Sequence, residues 1–400
     1  MSQDTLVAST RRQQSSSMQL FTGLLARADI RVNGSRPCDI RIHNPRVAQR
    51  TLTQANLGLG ESYMDGDWDC DALDQFFDRI LRTKVDRAVS PLRLLFHALR
   101  FRLLNLQTAR RAFQVGERHY DIGNDLYRAM LDERLTYTCG YWEQATTLEA
   151  AQEAKLDLIC RKLDLRPGQR VLDIGCGWGS FAKFAAERYG AQVVGITISR
   201  EQAKLARELC GDLPVEIRVQ DYRAVKERYD HIVSVGMFEH VGHKNYREYM
   251  QVAARCLKQD GLFLLHTIGK NLTATTPDPW IDRYIFPNGD LPSLAQIAQA
   301  VEDVFVIEDL HNFGADYDRT LMAWFENFDA AWPRLRDHYD ERFYRMWKYY
   351  LLSCAGAFRS RDIQLWQLVL SPDGRRGGYR RPLGVRPKVQ APQRAQRTQR

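Results

Sequence analysis

The stretch LTYTCGYW, residues 135–142, sets one cysteine among aromatic and hydroxyl side chains. A thiolate is a strong nucleophile, so these surroundings suggest covalent catalysis through Cys139 as a first hypothesis. The hypothesis can be judged only when the reaction is known, and other residues of the chain must define that reaction.

Three polar side chains further along the chain are candidates for a catalytic cluster. Glu239 lies in GMFEHVGHKNY, His266 in LLHTIG and Tyr317 in FGADYDRT. Taken singly, His266 is as easily a core histidine and Tyr317 a packing tyrosine. A metal site built from Glu239, His240 and His243 is not expected, because their order fits no zinc motif. We therefore consider Glu239, His266 and Tyr317 together.

An alternation of helices and short apolar strands begins near residue 149. In a sheet built from these strands, the three side chains would lie at the same edge, beyond the carboxyl ends of the strands. The predicted strands are residues 169–175, 192–198, 215–221, 230–236 and 261–269. This alternation indicates an α/β fold with a doubly wound, mainly parallel sheet. The later segments FVIEDLHNFG and LWQLVLS could add strands at an edge. Ligands of such sheets bind beyond the carboxyl ends of the strands.

A glycine-rich turn follows the first predicted strand. VLDIGCGWGS places Asp173 in the strand and then Gly175, Gly177 and Gly179, where the backbone can approach a ligand. A dinucleotide site would need GxGxxG or GxGxxA and an acid about 20 residues on. The spacing here is GxGxG and the second strand ends in Thr197, so NAD is not expected. Gly179 alone is equally compatible with close helix packing.

Composition limits the cellular setting. A chain of 400 residues that is 44% hydrophobic has room for a main domain and a smaller one. The eight cysteines form no CxxC pair and the start does not resemble a signal peptide, so we expect free thiols in the cytoplasm. No apolar stretch reaches the roughly 20 residues of a spanning helix. Any membrane contact is therefore expected to be peripheral.

The net charge of +8 is concentrated at the carboxyl end of the chain. Nine basic residues and no acidic one follow Asp373, which leaves 48 basic against 49 acidic residues in the remainder. Residues 374–400 are rich in Gly, Pro and Gln and are predicted to be disordered. Such a tail either stays solvated or attracts anionic lipid. We expect no nucleic-acid partner.

The first hundred residues mix helical and extended patterns, which indicates a small α+β domain. Ser90 and Pro91 mark the start of an amphipathic helix whose leucines recur at helical spacing. This helix would close a lipid- or membrane-associated domain of residues 1–108. It either packs across the domain boundary or lies on a membrane surface. Residues 109–373 would then form the catalytic domain.

Two stretches resemble motifs of S-adenosylmethionine-dependent methyltransferases. VLDIGCGWG is similar to their first motif, and VQDYR is similar to their adenine-contacting motif. The resemblance implies a Rossmann-like class I methyltransferase sheet with helices on both faces, and it places Asp221 and Tyr222 near the adenine. The usual acid after the second strand is missing. Thr197 and Gln202 are therefore the expected partners of the ribose hydroxyls.

A longer resemblance extends from near residue 30 to residue 370. Bacterial cyclopropane-fatty-acyl-phospholipid synthases contain stretches similar to GERHYDIGNDLYRAMLDERLTYTCGYW, VSVGMFEHVGHKNY, DPWIDRYIFPNGDLPS and HNFGADYDRTLMAWFENF. This resemblance implies transfer of a methylene group from S-adenosylmethionine to the cis double bond of unsaturated acyl chains in membrane phospholipids. It also implies a cytoplasmic homodimer bound peripherally to the inner face of the membrane.

The reaction implied by the resemblance passes through a carbocation. Aromatic faces in TYTCGYW and IDRYIF would shield that cation from water. The family resemblance implies bound bicarbonate as the base, held by the side chains of Glu239, His266 and Tyr317. Cys139 and Ile268 match positions that contact the ion, largely through the backbone.

The same resemblance places further residues around the cofactor. Tyr137 and Thr138 match positions beside it. Cys354 is a weaker candidate for a chemical role, because its helical surroundings favour a packed cysteine. Methylation of an alkene needs no covalent enzyme intermediate, so Cys139 is not expected to act as a nucleophile.

Two other classes of protein fit parts of the sequence. A methyltransferase acting on another lipid alkene or on a small-molecule amine would share the cofactor motifs, but an amine methyltransferase would not need the bicarbonate residues or the amino-terminal domain. A non-enzymatic protein that binds lipid or nucleic acid could carry the basic tail, but it would not need the glycine turn.

Overall fold

The amino-terminal part of the chain is a helical layer with one small sheet. The computed structural model describes residues 3–88, 123–274, 277–382 and 384. The first helices are α1 (Gln3–Arg27), α2 (Arg46–Gln54), α3 (Asn56–Met64) and α4 (Leu73–Arg82). The short strands β1 (Arg41–Ile42) and β2 (Trp68–Asp69) pair antiparallel. This agrees with the predicted α+β character of the region.

The centre of the molecule is a seven-stranded sheet. Its strands are β3 (Arg170–Ile174), β4 (Gln192–Thr197), β5 (Val215–Val219), β6 (Tyr229–Val235), β7 (Leu257–Lys270), β8 (Val306–Asn312) and β9 (Ile363–Ser371). Their order is β5-β4-β3-β6-β7-β9-β8. The first five run parallel, and β8 and β9 pair antiparallel at the β7 edge. The predicted mainly parallel sheet with added edge strands is confirmed.

Helices cover both faces of this sheet, as predicted. They are α6 (Leu148–Lys162), α7 (Ser180–Tyr189), α8 (Arg200–Cys210), α9 (Tyr246–Cys256) and α11 (Leu294–Val301). Successive strand residues point to opposite faces: Val171 packs with α6 and α7, whereas Leu172 packs with α9 and α11. The near-continuous apolar runs of the central strands follow from this burial on two sides.

Four more helices connect the sheet to the amino-terminal layer. They are α5 (Asn124–Met130), α10 (Pro279–Tyr284), α12 (Ala315–Leu335) and α13 (Glu341–Arg359). Helix α13 lies so close to α4 that a Cβ atom on Gly356 would be 2.6 Å from the carbonyl oxygen of Asp74. Arg345 of α13 donates to the carbonyl oxygen of Trp68 at 2.8 Å and pairs with Asp69. The two regions consequently share one apolar core.

The carboxyl-terminal segment begins with ordered contacts. Arg381 forms an ion pair with Asp309, and the backbone nitrogen of Arg375 donates to Glu308. Disorder therefore does not begin at residue 374, because residues 374–382 run along β8 and meet acidic side chains there. The rest of the tail lies outside the described residues, as do the helix predicted from Ser90 and the boundary between residues 108 and 109.

Two further predictions concern the chemistry and the membrane. All eight cysteines are free thiols, as expected. Within the described part of the chain, no helix is both long and apolar enough to cross a membrane.

Candidate functional site

A cavity of about 610 Å³ lies at the carboxyl edge of the parallel strands. Its lining includes Asp173 in β3 and Gly175 directly after it, Val235 at the end of β6, and Ile268 in β7. The cavity continues between α13 and the amino-terminal helices. The sheet thus presents a site where open α/β folds bind their ligands.

The glycine turn forms the floor on one side of this cavity. Gly177 has a φ of +55°, and a Cβ atom at this position would meet no protein atom within 4 Å. Gly175 and Gly179 also have positive φ values, and Gly179 precedes α7. A Cβ on Gly179 would lie 3.3 Å from Ala206 of α8, so this glycine allows the close packing of that helix. The space above Gly177 is the part of the turn that suits a ligand.

Only some of the other predicted cofactor residues line the cavity. Asp173 and Gln202 line the cavity, whereas Thr197, Asp221 and Tyr222 do not. The hydroxyl group of Thr197 donates a hydrogen bond to the side-chain oxygen of Gln202 at 3.1 Å. Thr197 therefore affects the cavity by orienting the Gln202 amide. Asp221 caps the backbone that follows β5 and pairs with a neighbouring arginine at 3.0 Å. Asp173 and Gln202 thus share the lining of the cavity, whereas the predicted adenine residues, Asp221 and Tyr222, lie outside it.

Asp173 has the character of a ligand-binding carboxylate. Its side chain is buried, and its Oδ2 atom has no hydrogen-bond partner among the described residues. Burial raises the pKa of Asp173 to about 7, and the charge of Lys155 opposes this shift. An unpartnered buried carboxylate is costly, and a cationic group bound in the cavity would remove that cost.

Glu239 also lines the cavity, from a short helical turn after β6. The backbone nitrogen of Ile268 donates to its Oε1 atom at 2.7 Å, while its Oε2 atom has no partner among the described residues. Burial raises the pKa of Glu239 to about 7, and the bond from Ile268 lowers it. One oxygen is therefore fixed and the other is available. The Ile268 amide is already engaged and is not free to bind an anion.

His266 is held by the strand next to its own. Gln367 of β9 lies opposite His266, and its amide nitrogen is 3.2 Å from the Nδ1 atom. If the amide donates this bond, the ring proton resides on Nε2, which has no partner among the described residues. Burial holds the pKa of His266 well below its usual value, so the ring is neutral. His266 is thus a neutral donor just behind the cavity wall.

Aromatic rings line another part of the cavity and form its aromatic wall. Tyr317 stacks on Phe358 with ring centres 4.4 Å apart, and both rings line the cavity. The hydroxyl groups of Tyr137 and Tyr350 are 2.8 Å apart. Burial raises the pKa of Tyr317 well above its usual value, and nearby Cys139 and Glu239 add to the shift. Tyr317 therefore enters the site as a neutral hydroxyl group.

Only part of the predicted aromatic set faces the cavity. Tyr137 and Phe286 line it. Tyr141 instead donates to Glu143, and Trp142 donates its ring nitrogen to Thr320. The hypothesis that all rings of TYTCGYW face the site is therefore wrong, because two of them bind polar groups elsewhere.

The two candidate cysteines are protonated thiols. Cys139 has no exposed surface, and burial raises its pKa well above the usual value. Its Sγ atom lies 3.2 Å from the carbonyl oxygen of Gly140. Cys354 lines the cavity on α13, where burial raises its pKa to about 12. A thiol with a raised pKa is a poor nucleophile, which argues against covalent catalysis at either position.

We expect Cys139→Ser to retain substantial activity. A serine hydroxyl can donate to the Gly140 carbonyl oxygen as the thiol does, and the backbone at this position is unchanged. Turnover within about tenfold of wild type would agree with a packing role. The measurement is the steady-state rate at saturating substrates, with calorimetry to confirm cofactor binding. A folded, cofactor-bound variant without activity would contradict this expectation.

The two histidines after Glu239 contact different parts of the structure. His243 pairs with Asp290 through its Nδ1 atom at 2.6 Å. His240 lines the cavity and packs edge-on against Phe286. Burial lowers the pKa of His240 to about 4, so the ring is neutral at physiological pH.

An apolar arm extends from the aromatic wall into the amino-terminal layer. Its walls come from α1, α3 and α4 and include Phe21, Leu25, Leu59, Phe76, Phe77 and Ile80. Cys354 and Phe358 of α13 connect this arm to the region of Tyr317. The arm is suited to a long hydrocarbon chain, because apolar walls gain free energy when they exclude water.

Sequence analysis missed two polar residues on α6 that contact the site. Gln152 donates to the carbonyl oxygen of Thr138 at 2.8 Å, and Lys155 donates to the hydroxyl group of Thr138 at 2.7 Å. Both side chains are fully buried. Their signal was available, because they lie three residues apart on the apolar face of a helix.

The fold, with a cavity bordered by the glycine turn, is that of the class I S-adenosylmethionine-dependent methyltransferases. A model of the mycolic acid cyclopropane synthetase family matches residues 107–368, and the chain belongs to this family. It is 57% identical to the cyclopropane-fatty-acyl-phospholipid synthase of Escherichia coli K12 over 349 residues, which are 87% of this chain and 91% of that protein. The predicted resemblance and the assignment as a methyltransferase are confirmed.

Other relatives agree with the family assignment. Cyclopropane mycolic acid synthase 3 of Mycobacterium tuberculosis is 37% identical over 63% of this chain and 94% of its own length. A crystal structure of mycolic acid cyclopropane synthase CmaA1 complexed with SAH and CTAB covers 64% of this chain and 97% of its own, at 33% identity and a TM-score of 0.61. Coclaurine N-methyltransferase shares the fold at 23% identity and a TM-score of 0.64.

Proposed function

We propose that this protein transfers a methylene group from S-adenosylmethionine to the cis double bond of unsaturated acyl chains in membrane phospholipids. The observation that carries the proposal is the apolar arm, which joins the glycine turn and Glu239 to the amino-terminal helices. The 57% identical synthase of Escherichia coli is named for the same reaction product. A small amine would not require an arm of this kind.

The residues of the cavity fit S-adenosylmethionine at one end. The open space at Gly177 admits a ligand close to the backbone, and the unpartnered oxygen of Asp173 would accept a hydrogen bond from its ammonium group. Gln202 and Thr138 line the same part of the cavity. When bound, the cofactor supplies an electrophilic methyl group.

The cavity also has groups suited to bicarbonate. The free Oε2 atom of Glu239 can accept the O–H of that ion, and the hydroxyl group of Tyr317 can donate to one of its oxygens; both residues line the cavity. His266 does not line the cavity, and we assign the ion a second donor in its Nε2–H, which has no partner among the described residues. Bicarbonate held there would supply a base small enough to reach a new methyl group. Cys139 contacts Thr320 of α12, the helix that carries Tyr317, and Ile268 acts through Glu239 by its engaged amide.

Tyr137, Tyr317 and Phe286 would protect the carbocation formed on the acyl chain. Their ring faces carry negative electrostatic potential, which attracts a cation, and they keep water away from it. No residue has to form a covalent bond to the substrate.

We expect turnover to rise with pH between 6 and 8, with a midpoint near the pKa of Glu239, about 7. Burial favours the protonated carboxyl group, which cannot accept a proton from bicarbonate, so activity is lost as the pH falls through 7. The rate should be measured at constant bicarbonate and saturating cofactor, since Asp173 also has a pKa of about 7. A flat profile over this range would refute the role of Glu239.

The proposal includes a peripheral location at the inner face of the cytoplasmic membrane, where the phospholipid substrates lie, and assembly as a homodimer. Sedimentation with and without phospholipid vesicles tests the first statement, and analytical ultracentrifugation tests the second.

The substrate class can be tested by a competition experiment. The protein is incubated with methyl-labelled S-adenosylmethionine, vesicles of unsaturated phospholipid and a water-soluble amine. The proposal predicts label in the lipid fraction, and none when the vesicles contain only saturated chains. Label in the amine fraction would favour the amine methyltransferase hypothesis.

A further inference from the structure

Lys155 is a lysine on α6 without exposed surface, and the proposed reaction does not use it. Its ammonium group donates to the hydroxyl oxygen of Thr138 at 2.7 Å. Burial lowers the pKa of Lys155 to about 8, while the charges of Asp132 and Asp173 oppose the shift. The group is therefore mostly protonated at neutral pH, although it lies in the protein interior.

Lys155 lines the cavity and is bonded to Thr138, the residue that precedes Cys139. On the cofactor side its charge lowers the pKa of Asp173 and so opposes the effect of burial. On the other side its charge adds to the effect of burial in lowering the pKa of His266. Lys155 therefore acts electrostatically on residues from β3, from the segment that contains Cys139, and from β7.

A buried anion beside Glu239 needs a compensating positive charge. The proposed contacts come from a carboxylate, a neutral imidazole and a neutral hydroxyl group, and none of these is cationic. Placing two negative groups together in an apolar cavity is unfavourable unless a cation is near. Lys270 also lines the cavity, but Asp290 lies 3.9 Å from its ammonium nitrogen and offsets its charge.

We infer that Lys155 is a positioning residue whose buried ammonium group provides the positive potential that retains bicarbonate beside Glu239. It lines the cavity beside Thr138 and acts through its charge. The inference rests on the proposed function. A purely structural alternative is that Lys155 only fixes the segment around Thr138, a task that Gln152 shares through the Thr138 carbonyl oxygen.

Three variants separate charge from anchoring. Lys155→Met removes the charge and the hydrogen bond, Lys155→Arg keeps a charge, and Thr138→Val removes the hydrogen bond but keeps the charge. The readout is the bicarbonate concentration that gives half-maximal turnover, at pH 7.5 and saturating S-adenosylmethionine. Calorimetric binding of S-adenosylmethionine is measured separately for each variant.

We expect Lys155→Met to raise the half-saturating bicarbonate concentration about tenfold or more, and Lys155→Arg and Thr138→Val to change it much less. An unchanged value in Lys155→Met would overturn the inference and leave the proposed function intact. An equal rise in Thr138→Val and Lys155→Met would also overturn it, because the hydrogen bond would then explain the effect. If wild-type turnover does not depend on the bicarbonate concentration, both the proposed role of bicarbonate and this inference are refuted.

If Lys155→Met does not fold, wild type and Lys155→Arg decide the question at pH 7.5 and 9. Lys155 loses most of its charge over this range, so the wild-type value should rise several-fold, whereas arginine stays protonated. The other titratable groups around the site are the same in both proteins, so their titration contributes equally and only the charge at position 155 differs: Asp132, Asp173, Glu239, His266, Cys139 and Lys270. Equal pH dependence in both proteins would overturn the inference.

Discussion

Glu239→Gln should lose most of its turnover, by a factor of about 10² to 10⁴, while it retains cofactor binding. The amide has nearly the shape of the carboxyl group, so its oxygen can still accept the hydrogen bond from the Ile268 backbone that Oε1 accepts now. At the Oε2 position, however, an NH₂ group would replace the only unpartnered acceptor of that side chain. An amide nitrogen donates and cannot take up a proton. The loss should therefore appear in kcat.

The measurement is single-turnover methylation of vesicle phospholipid, combined with calorimetric binding of S-adenosylmethionine. Glu326→Gln is a suitable control, because Glu326 is an exposed residue of α12 outside the cavity. Turnover of Glu239→Gln equal to that of the control would remove Glu239 from the mechanism. A joint loss of cofactor binding would show that Glu239 organises the whole cavity instead.

Gly177→Leu should weaken S-adenosylmethionine binding by about 100-fold or more without preventing folding. The space beyond Gly177 is empty of protein atoms within 4 Å, so the new side chain would extend where the cofactor is proposed to lie. The positive φ value costs a residue with a Cβ atom roughly 1–2 kcal/mol. The free energy of unfolding should fall by this amount, whereas the free energy of S-adenosylmethionine binding should fall by more.

Gly66→Leu is the matched control for Gly177→Leu. Gly66 also has a positive φ, +77°, and open space around its Cβ position, but it lies outside the cavity. Urea unfolding should give similar losses of stability for both variants, and only Gly177→Leu should lose cofactor affinity. Equal affinities in the two variants would show that the cofactor does not approach the glycine turn.

The sheet was predictable because its strands carry local signals. Val171 and Leu172 belong to an unbroken apolar run, which is typical of a parallel strand buried on both faces. The glycine turn follows directly in sequence, so its position relative to β3 requires no long-range information. The location of β9 between β7 and β8 was not encoded in this way, since antiparallel pairing of distant segments depends on tertiary contacts.

The sequence pointed to several residues that line this cavity, but it did not reveal their contacts. The family resemblance pointed to Glu239 and His266, but periodicity does not reveal that Ile268 donates its amide to Glu239 or that Gln367 orients His266. Lys155 shows the same limit, because a lysine in a helix is usually exposed and only burial makes it unusual. The apolar arm likewise arises from helices that are distant in sequence.

The central claim is the transfer of a methylene group to an alkene, and one isotope experiment tests it most directly. The protein is incubated with vesicles of unsaturated phospholipid and S-adenosylmethionine that carries a trideuterated methyl group, and the acyl chains are analysed by mass spectrometry. Closure of a ring removes one hydrogen from the transferred methyl group, so the account predicts a cyclopropane that contains two deuterium atoms. A product that retains all three, as a methyl branch or a methylated amine, would contradict the account.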